Sequence, residues 1–308
     1  MKPNTLKNKY YINYLKQMLK SPLRYPGGKT RAISTLNQVF NDNFNINNYD
    51  YIISPFCGGC SFELNLLSKF NDKHFIFSDL FEPLIIFWQQ VQNDNEYITN
   101  ELSSLVNHVN KQDFNSYRED LMELMNNDEL NIEINKSSVA IEYFVINRCS
   151  FSGSTFSGGF SSESSKKRFT ISSVNNIKCL NNKLNNIQFL HQTFEETFSL
   201  IRSLTNENHK IFLFCDPPYH LSKSNSKLYG VNGDLHVNFN HNLLYQLLMN
   251  CNCDYILTYN DSNYIRELYK NNIIINAEWS YGMNKSHKSS EIIILSKKNV
   301  AKSNLIID

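Results

Sequence analysis

Seven short apolar runs recur along the chain, and each has the length and the β-branched or aromatic content of a buried strand. Stretches with a helical period of apolar positions separate most of these runs, which predicts an α/β protein. The last two runs are joined by 277–290, whose Ser, Gly, Lys and His content is typical of an antiparallel hairpin. We therefore expect a seven-stranded mixed sheet. The predicted strands are 51–54, 74–78, 187–191, 211–215, 255–259, 273–276 and 291–295.

The pattern changes between residues 93 and 186, where helical periods replace the strands. A Gly- and Ser-rich segment with several Phe residues follows at 148–160, and the basic run Lys166-Lys167-Arg168 comes soon after. This composition is typical of a hairpin or a flexible loop, and a solvated linker is a competing interpretation. We divide the chain into an N-terminal arm, a sheet domain and a mostly helical insert. These are 1–20, then 21–92 with 187–308, and 93–186.

Composition narrows the class of protein without assigning a function. The 308 residues are 41% hydrophobic and 19% charged, as in a globular protein, and the formal net charge is +1. A basic surface that binds a nucleic acid would therefore have to be a patch on one part of the protein. The apolar runs are too short for a transmembrane helix, and the N-terminus lacks the apolar core of a secretory signal. Seven cysteines without framework spacing favour a reduced, cytoplasmic setting.

The most informative stretch is the apolar run 211–215 with the Asp216-Pro217-Pro218-Tyr219 that follows it. Proline fixes φ and has no N–H, so the strand must end at Pro217. A carboxylate, carbonyls without ladder partners and an aromatic ring then lie at the carboxyl edge of the sheet, where α/β proteins bind ligands. These groups suit a planar base with an exocyclic amine. The simpler interpretation is a plain Pro-Pro turn.

Two glycine-containing turns are candidates for a nucleotide-like ligand, although each could also be a plain turn. Residues 25–30 invite a P-loop interpretation, but Leu23 occupies the position of the first glycine, and no strand precedes it. What remains is a glycine turn in which the Tyr25 ring could stack on a ligand and Lys29 could pair with a carboxylate. The second turn follows strand 51–54 and contains Gly58, as in the strand–turn–helix unit of nucleotide sites.

Asp79 ends the second predicted strand, about 20 residues past the second glycine turn. An acid in that place suits the hydroxyls of a ribose, and it could also cap the helix that begins near Pro83. The spacing Cys57-x-x-Cys60 is compatible with redox or zinc chemistry, but no second Cys or His pair stands at ligand spacing. We therefore expect no metal.

Together these stretches resemble the Dam-like, D12 class family of DNA adenine-N6 methyltransferases. Four stretches carry the resemblance, and their order along the chain matches the α group of the family. Two positions depart from it: Cys60 replaces the usual second glycine of the glycine loop, and Thr193 stands where the family often has an acid near the cofactor adenine. The four stretches are the cofactor motif at 23–29, the glycine loop at 55–62, the start of the DNA-contacting hairpin at 147–153 and the catalytic motif at 216–219.

The resemblance implies transfer of a methyl group from S-adenosylmethionine to N6 of an adenine flipped out of duplex DNA. It also implies the fold of S-adenosylmethionine-dependent methyltransferases, with the insert as the target-recognition domain. The catalytic residues implied are Asp216, Pro217, Pro218 and Tyr219. The cofactor-binding residues implied are Tyr25, Lys29, Phe56, Gly58, Asp79 and Asp216. The DNA-binding candidates are Asn147, Arg148, Ser152, Lys166, Lys167, Lys285 and Lys288.

The partner expected from the resemblance is double-stranded DNA, bound by a monomer, with a cognate restriction endonuclease as a candidate second partner. Other functions fit the same fold, namely methylation of an RNA adenine or of a protein amide, and a non-catalytic DNA-binding subunit. No residue of the sequence excludes RNA. The intact Asp216, Tyr219, Asp79 and Lys29 disfavour a subunit that has lost its activity.

Overall fold

The computed structural model describes residues 19–126, 135–153, 155–220, 239–280 and 288–298. Most of the predicted N-terminal arm and Lys285 lie outside these ranges. No helix within them is long and apolar enough to cross a membrane. The strands are β1 (Tyr51–Ser54), β2 (His74–Asp79), β3 (Ile187–His191), β4 (Ile211–Cys215), β5 (Asp254–Asn260), β6 (Asn272–Ser280) and β7 (Lys288–Lys298).

Helices cover both faces of a single seven-stranded sheet, whose strand order is β3-β2-β1-β4-β5-β7-β6. Strands β1 to β5 are parallel, and β7 is antiparallel to both β5 and β6. The predicted mixed sheet with a final antiparallel hairpin is therefore confirmed. The described α-helices are α1 (Ile33–Asn43), α2 (Ser61–Lys69), α3 (Glu82–Asn93), α4 (Asn95–Leu105), α5 (Lys111–Asn126), α6 (Lys136–Cys149), α7 (Ser162–Arg168), α8 (Ile171–Lys178), α9 (Phe194–Asn206), α10 (His241–Asn250) and α11 (Asn263–Leu268).

The central strand β4 shows how one strand supports both layers of helices. All of its residues are buried, and successive side chains point to opposite faces. Phe212 and Phe214 join the core that α1, α2 and α3 cover, whereas Leu213 and Cys215 join the core that α9, α10 and α11 cover. A strand buried on both faces needs a continuous apolar run, and this is the pattern from which β4 was predicted.

The helices between residues 93 and 186 pack against the sheet domain. Helix α3 lies along α6, where the rings of Phe87 and Phe144 stack with centroids 5.7 Å apart. Buried residues of α4, α6 and α8 belong to the same hydrophobic cluster as Phe212 and Phe214 of β4. The insert therefore shares its core with one face of the sheet, and the division of the chain at residue 93 stays a prediction.

The segment after α6 begins with turns joined by an antiparallel bridge and ends in a short helix. Among its described residues, one antiparallel bridge joins Ser150 and Phe160, and Ser162–Arg168 forms helix α7. Ser161 caps this helix, because its hydroxyl accepts the N–H of Ser164 at 3.1 Å. The turns and the bridge among the described residues of 151–160 agree with a hairpin or loop, but the basic run at 166–168, which that prediction included, lies in a helix. Serine is a poor residue inside a helix but a strong N-cap, so composition alone concealed the helix.

Cys60 immediately precedes α2 and has a φ of 50°, in the left-handed region that favours glycine. Its side chain is only 1% exposed. Replacing Cys60 by Gly or by Ala removes the same thiol, but only the Ala variant keeps a Cβ in this conformation. We expect Cys60→Gly to be about 1 kcal/mol more stable than Cys60→Ala. Urea unfolding of the two variants measures this difference, and a more stable Ala variant would contradict it.

Candidate active site

The predicted site residues gather at one edge of the sheet. Strands β2, β1 and β4 are neighbours in the sheet. Asp79 is the last residue of β2, Phe56 follows β1, and Asp216 directly follows β4. Parallel strands end at the same edge, which is where α/β proteins bind ligands. The sheet therefore brings together three side chains that lie far apart in the sequence.

The cofactor motif forms a tight turn beside this edge. The Gly28 N–H donates to the Tyr25 carbonyl at 3.0 Å, and Gly27, which follows Pro26, has a φ of 71°. Proline at the second position and a left-handed glycine at the third define a type II turn. The Tyr25 ring packs on the second glycine turn so closely that a Cβ added at Gly58 would lie 2.7 Å from it. Both turns therefore need their glycines.

Asp216 is held by partners on both of its carboxylate oxygens. Lys29 Nζ lies 2.6 Å from Oδ2 and also donates to the Gly27 carbonyl at 2.7 Å. The hydroxyl of Thr258, a fully buried residue of β5, donates to Oδ1 at 2.6 Å. A carboxylate bound in this way has a fixed orientation, and its remaining lone pairs can accept hydrogen bonds from a ligand.

Tyr219 is fixed beside the ion pair. Its hydroxyl donates to Glu291 Oε2 at 2.6 Å, and Glu291 is 1% exposed at the start of the buried part of β7. The ring centroid lies 5.1 Å from Lys29 Nζ. Pro217 is buried and Pro218 half-buried between the acid and the ring. The four residues of the catalytic motif thus form one rigid turn with an aromatic side chain at its end.

Asp79 connects the glycine loop to the end of β2. Its Oδ2 accepts the Gly58 N–H and its Oδ1 accepts the Phe81 N–H, each at 3.0 Å. Burial raises the pKa of the Asp79 carboxyl, although the backbone N–H groups oppose this rise. The N-cap of α3 is Phe81, and no side chain caps this helix, so the expectation that Asp79 caps it is wrong. Asp79 instead orders the turn that leads into α3. This role is compatible with ribose binding, since each carboxylate oxygen has more than one lone pair.

Phe56 belongs to an aromatic group at the same edge. Its ring centroid lies 5.7 Å from that of Phe194 and 5.6 Å from that of Phe239. Thr193, the residue before α9, caps that helix, because its hydroxyl accepts the Glu196 N–H at 3.2 Å. The departure from the family at position 193 is therefore compatible with a well-formed start of α9.

The structure places two DNA-binding candidates in structural roles. Asn147 is fully buried, and both polar atoms of its side chain bond to the backbone of Arg24. Arg148 donates to the carbonyls of Arg168 at 2.7 Å and Pro22 at 3.2 Å. A direct contact between Asn147 and DNA does not fit this geometry, because the amide is already paired and away from solvent. We assign Asn147 and Arg148 to bracing the segment around them.

The other DNA-binding candidates stay predictions. Lys166 and Lys167 are exposed on α7, and Lys167 forms an ion pair with Glu163 one helical turn away at 2.9 Å. Ser152 lies in a short 3₁₀ turn, and Lys288 begins β7. Exposed lysines near the bridge between Ser150 and Phe160 are compatible with contacts to a phosphate backbone.

Sequence reasoning missed Thr258 and Glu291. Each carried a weak signal: Thr258 has the one aliphatic hydroxyl in a strand whose other central residues are apolar or aromatic, and Glu291 is an acid placed directly before four buried apolar residues. Buried polar groups require partners, so both positions pointed to an interaction. Their partners could not be identified from the sequence, because they come from strands distant along the chain.

The cysteine pair of the glycine loop has the character of a core element. Cys57 and Cys60 are buried and free, and burial raises the pKa of Cys57 to about 11. A thiol with such a pKa is protonated at neutral pH and is a poor nucleophile. Among the residues that the structure describes, no group of three or more His, Cys, Asp or Glu side chains could hold a metal ion.

Glu63 is a buried carboxyl group on α2 that accepts the Ser54 hydroxyl at 2.9 Å. Burial raises its pKa to about 8, and the nearby Asp216 charge adds to this effect. In an unfolded chain the pKa of a glutamate is about 4.3. The folded state therefore binds this proton more tightly, and stability falls as the pH rises between the two values.

We expect Glu63→Gln to remove this loss, because glutamine keeps the shape and stays neutral. The variant should match the wild type in thermal unfolding near pH 4 and unfold at a higher temperature above about pH 8. Melting curves at several pH values measure the difference. A difference between variant and wild type that is the same at every pH would contradict the prediction.

Comparison with known proteins agrees with this geometry. A type II methyltransferase of Methanocaldococcus jannaschii, M.MjaIII, is 35% identical over 83 residues, which are 27% of this chain and 29% of that protein. The match thus spans less than a third of the relative. The family model described as D12 class N6 adenine-specific DNA methyltransferase matches residues 25–283. With most of its length matched, including both glycine turns and the Asp-Pro-Pro-Tyr motif, the chain belongs to this D12 class family.

Proposed function

We propose that this protein is a site-specific DNA methyltransferase that transfers a methyl group from S-adenosylmethionine to N6 of a flipped-out adenine. The observation that carries the proposal is the Asp216 carboxylate, fixed by Lys29 and Thr258 at the carboxyl edge of the sheet and followed by Pro-Pro-Tyr. Family membership supplies the reaction class. The fixed carboxylate and the ring of Tyr219 support the proposal, because together they offer an acceptor and an aromatic face for an amine on a planar base.

The chemical problem is that N6 of adenine is a weak nucleophile, because its lone pair is delocalised into the ring. When bound, the cofactor supplies an electrophilic methyl group on a sulfonium. Transfer would exchange the C–S bond of the bound cofactor for an N6–C bond and leave a neutral thioether, and N6 would carry a positive charge until it released one proton to solvent. Asp216 and the Pro217 carbonyl each accept one N6–H, which favours the positive charge that develops on nitrogen.

The residues beside the catalytic motif fit the parts of S-adenosylmethionine. Asp79 places a carboxylate at the tip of β2, which suits the ribose hydroxyls. The rings of Tyr25 and Phe56 offer faces for a planar group, and Lys29 offers an ammonium group beside the turn. The two glycine turns pack without Cβ atoms, which lets their backbone approach a ligand closely. This set of donors, acceptors and aromatic faces supports the cofactor assignment.

Duplex DNA is the proposed substrate, and the target base must leave the helix to reach Asp216. Flipping a base costs a few kcal/mol. Contacts between the phosphate backbone and exposed basic side chains, with Lys166 and Lys167 as candidates, would offset this cost. Tyr219 would then stack on the extruded adenine. We further propose that the protein acts as a monomer in the cytoplasm and is paired with a restriction endonuclease, as the type II name of the relative suggests.

Incubation with labelled S-adenosylmethionine tests the proposed reaction and its two alternatives. We expect label in unmethylated duplex DNA and none in duplex RNA. Label only in RNA would favour an RNA adenine methyltransferase, and DNA binding without transfer would favour a non-catalytic subunit. Sequencing that detects modified bases in DNA from an expressing host then gives both the base and the recognition site.

The Asp216→Ala variant tests the role of the carboxylate. We expect methyl transfer to be abolished while binding of duplex DNA stays within about threefold of wild type, because Asp216 acts on the amine at the reaction centre. Removing one partner of a buried ion pair costs about 3–5 kcal/mol. The double variant Asp216→Ala/Lys29→Met removes both charges and controls for folding. Substantial transfer by a folded Asp216→Ala protein would refute the assignment.

Thr258 gives a second, finer test of the same carboxylate. Thr258→Val has nearly the same shape but cannot donate to Asp216 Oδ1, whereas Thr258→Ser retains the hydroxyl. A hydrogen bond to a charged group is worth about 1.5–3 kcal/mol, so we expect kcat of the Val variant to fall by about 10- to 100-fold. The Ser variant should recover most of the rate. Equal rates for the two variants would show that the hydroxyl does not position Asp216.

A further inference from the structure

Arg24 lies between the cofactor turn and the end of α6. The side chain of Asn147 bonds to both backbone polar groups of Arg24: Oδ1 accepts the Arg24 N–H at 2.9 Å, and Nδ2 donates to the Arg24 carbonyl at 2.8 Å. The amide of Asn147 thus pairs with the backbone of one residue in the way that a neighbouring β-strand would. Since Tyr25 is the next residue, these two hydrogen bonds fix the backbone at the start of the cofactor turn.

The Arg24 side chain extends the contact into the segment after α6. Its Nη1 donates to the carbonyls of Arg148 at 3.3 Å and Ser150 at 3.1 Å, and it lies 3.3 Å from Ser164 Oγ on α7. At Gly153, whose φ is 74°, an added Cβ would lie 2.7 Å from the Arg24 carbonyl oxygen. The predicted DNA-binding segment and the cofactor turn are therefore in direct contact.

Electrostatic repulsion among three arginine side chains acts at this contact. Arg24, Arg148 and Arg168 lie close enough to repel one another. Burial lowers the pKa of Arg148 to about 10, and the charges of Arg24 and Arg168 contribute to the same shift. Burial and then the Arg168 charge also lower the pKa of Arg24. Three cations held together cost free energy, and a polyanion approaching this end of α6 reduces the repulsion.

We propose that Arg24 and Asn147 form a clamp through which DNA binding at the insert and cofactor binding at the glycine turn strengthen each other. This inference rests on the proposed function, because it needs both ligands. The two clamp residues act through Tyr25 and Lys29 and are positioning residues. Thermodynamic linkage makes the effect reciprocal, so duplex DNA tightens cofactor binding by the factor with which the cofactor tightens DNA binding.

The test compares Asn147→Asp with Asn95→Asp. Both asparagines are buried in the helices of 93–186, and both donate Nδ2 to a backbone carbonyl, which for Asn95 is that of Ile177 at 2.9 Å. Asn95 does not bond to residues 21–28. Binding of S-adenosylhomocysteine, a non-reactive probe, is measured by equilibrium dialysis with and without unmethylated plasmid DNA, and melting temperatures are recorded for each variant.

We expect DNA to tighten binding of the probe to the wild type by about tenfold, within the usual range of coupling. Asn95→Asp should keep this factor, whereas Asn147→Asp should lose it even where the two variants melt at similar temperatures. Arg24→Met should also reduce the factor, with partial recovery in Arg24→Lys. This second pair of variants keeps the asparagine and preserves the test if Asn147→Asp fails to fold.

The results separate the clamp from the proposed function. Suppose that the wild type methylates DNA and that DNA tightens probe binding by the same factor in Asn147→Asp, Arg24→Met and Asn95→Asp. This result would overturn the clamp alone. A wild-type protein in which DNA leaves the affinity for the probe unchanged would also overturn it. A wild type that binds neither the probe nor DNA would overturn the clamp and the proposed function together.

Discussion

The buried ion pair between Lys29 and Asp216 is the interaction on which the site depends. The two residues lie 187 positions apart, and their side chains are 3% and 20% exposed. Removing two charges from water costs several kcal/mol per ion, and the attraction between them recovers this only when other hydrogen bonds complete the geometry. The Gly27 carbonyl and the Thr258 hydroxyl provide those bonds. The pair thus fixes the cofactor turn against the end of β4.

The backbone of the glycine loop is also hydrogen-bonded at both its N–H and its carbonyl. The N–H of Gly58 donates to Asp79 at 3.0 Å, and its carbonyl accepts the indole N–H of the fully buried Trp88 at 3.1 Å. The Tyr25 ring occupies the space that a Cβ at Gly58 would need. A peptide fixed on both sides loses little freedom when a ligand arrives, and such preorganisation is where a transferase gains much of its rate.

The helices between residues 93 and 186 contribute to the site through packing. Helix α6 belongs to the core of one face of the sheet, and Asn147 near its end holds the backbone of Arg24. The segment that resembles a DNA-contacting hairpin is therefore attached to the cofactor turn by hydrogen bonds. The same two side chains, Asn147 and Arg24, therefore support both the start of the cofactor turn and the segment after α6.

The sequence by itself determined the strands, the class of fold and the residues that meet at the carboxyl edge of the sheet. Continuous apolar runs and proline stops act within a few residues, so β4 and Asp216 could be predicted without knowing what lies beside them. Helix α7 was not predicted, because its sequence is rich in serine and its start depends on the cap that Ser161 provides. Only the tertiary structure showed that Thr258 supports Asp216 and that Asn147 faces Arg24, 123 residues away. Burial and hydrogen-bond partners depend on such distant pairings, which local pattern does not encode.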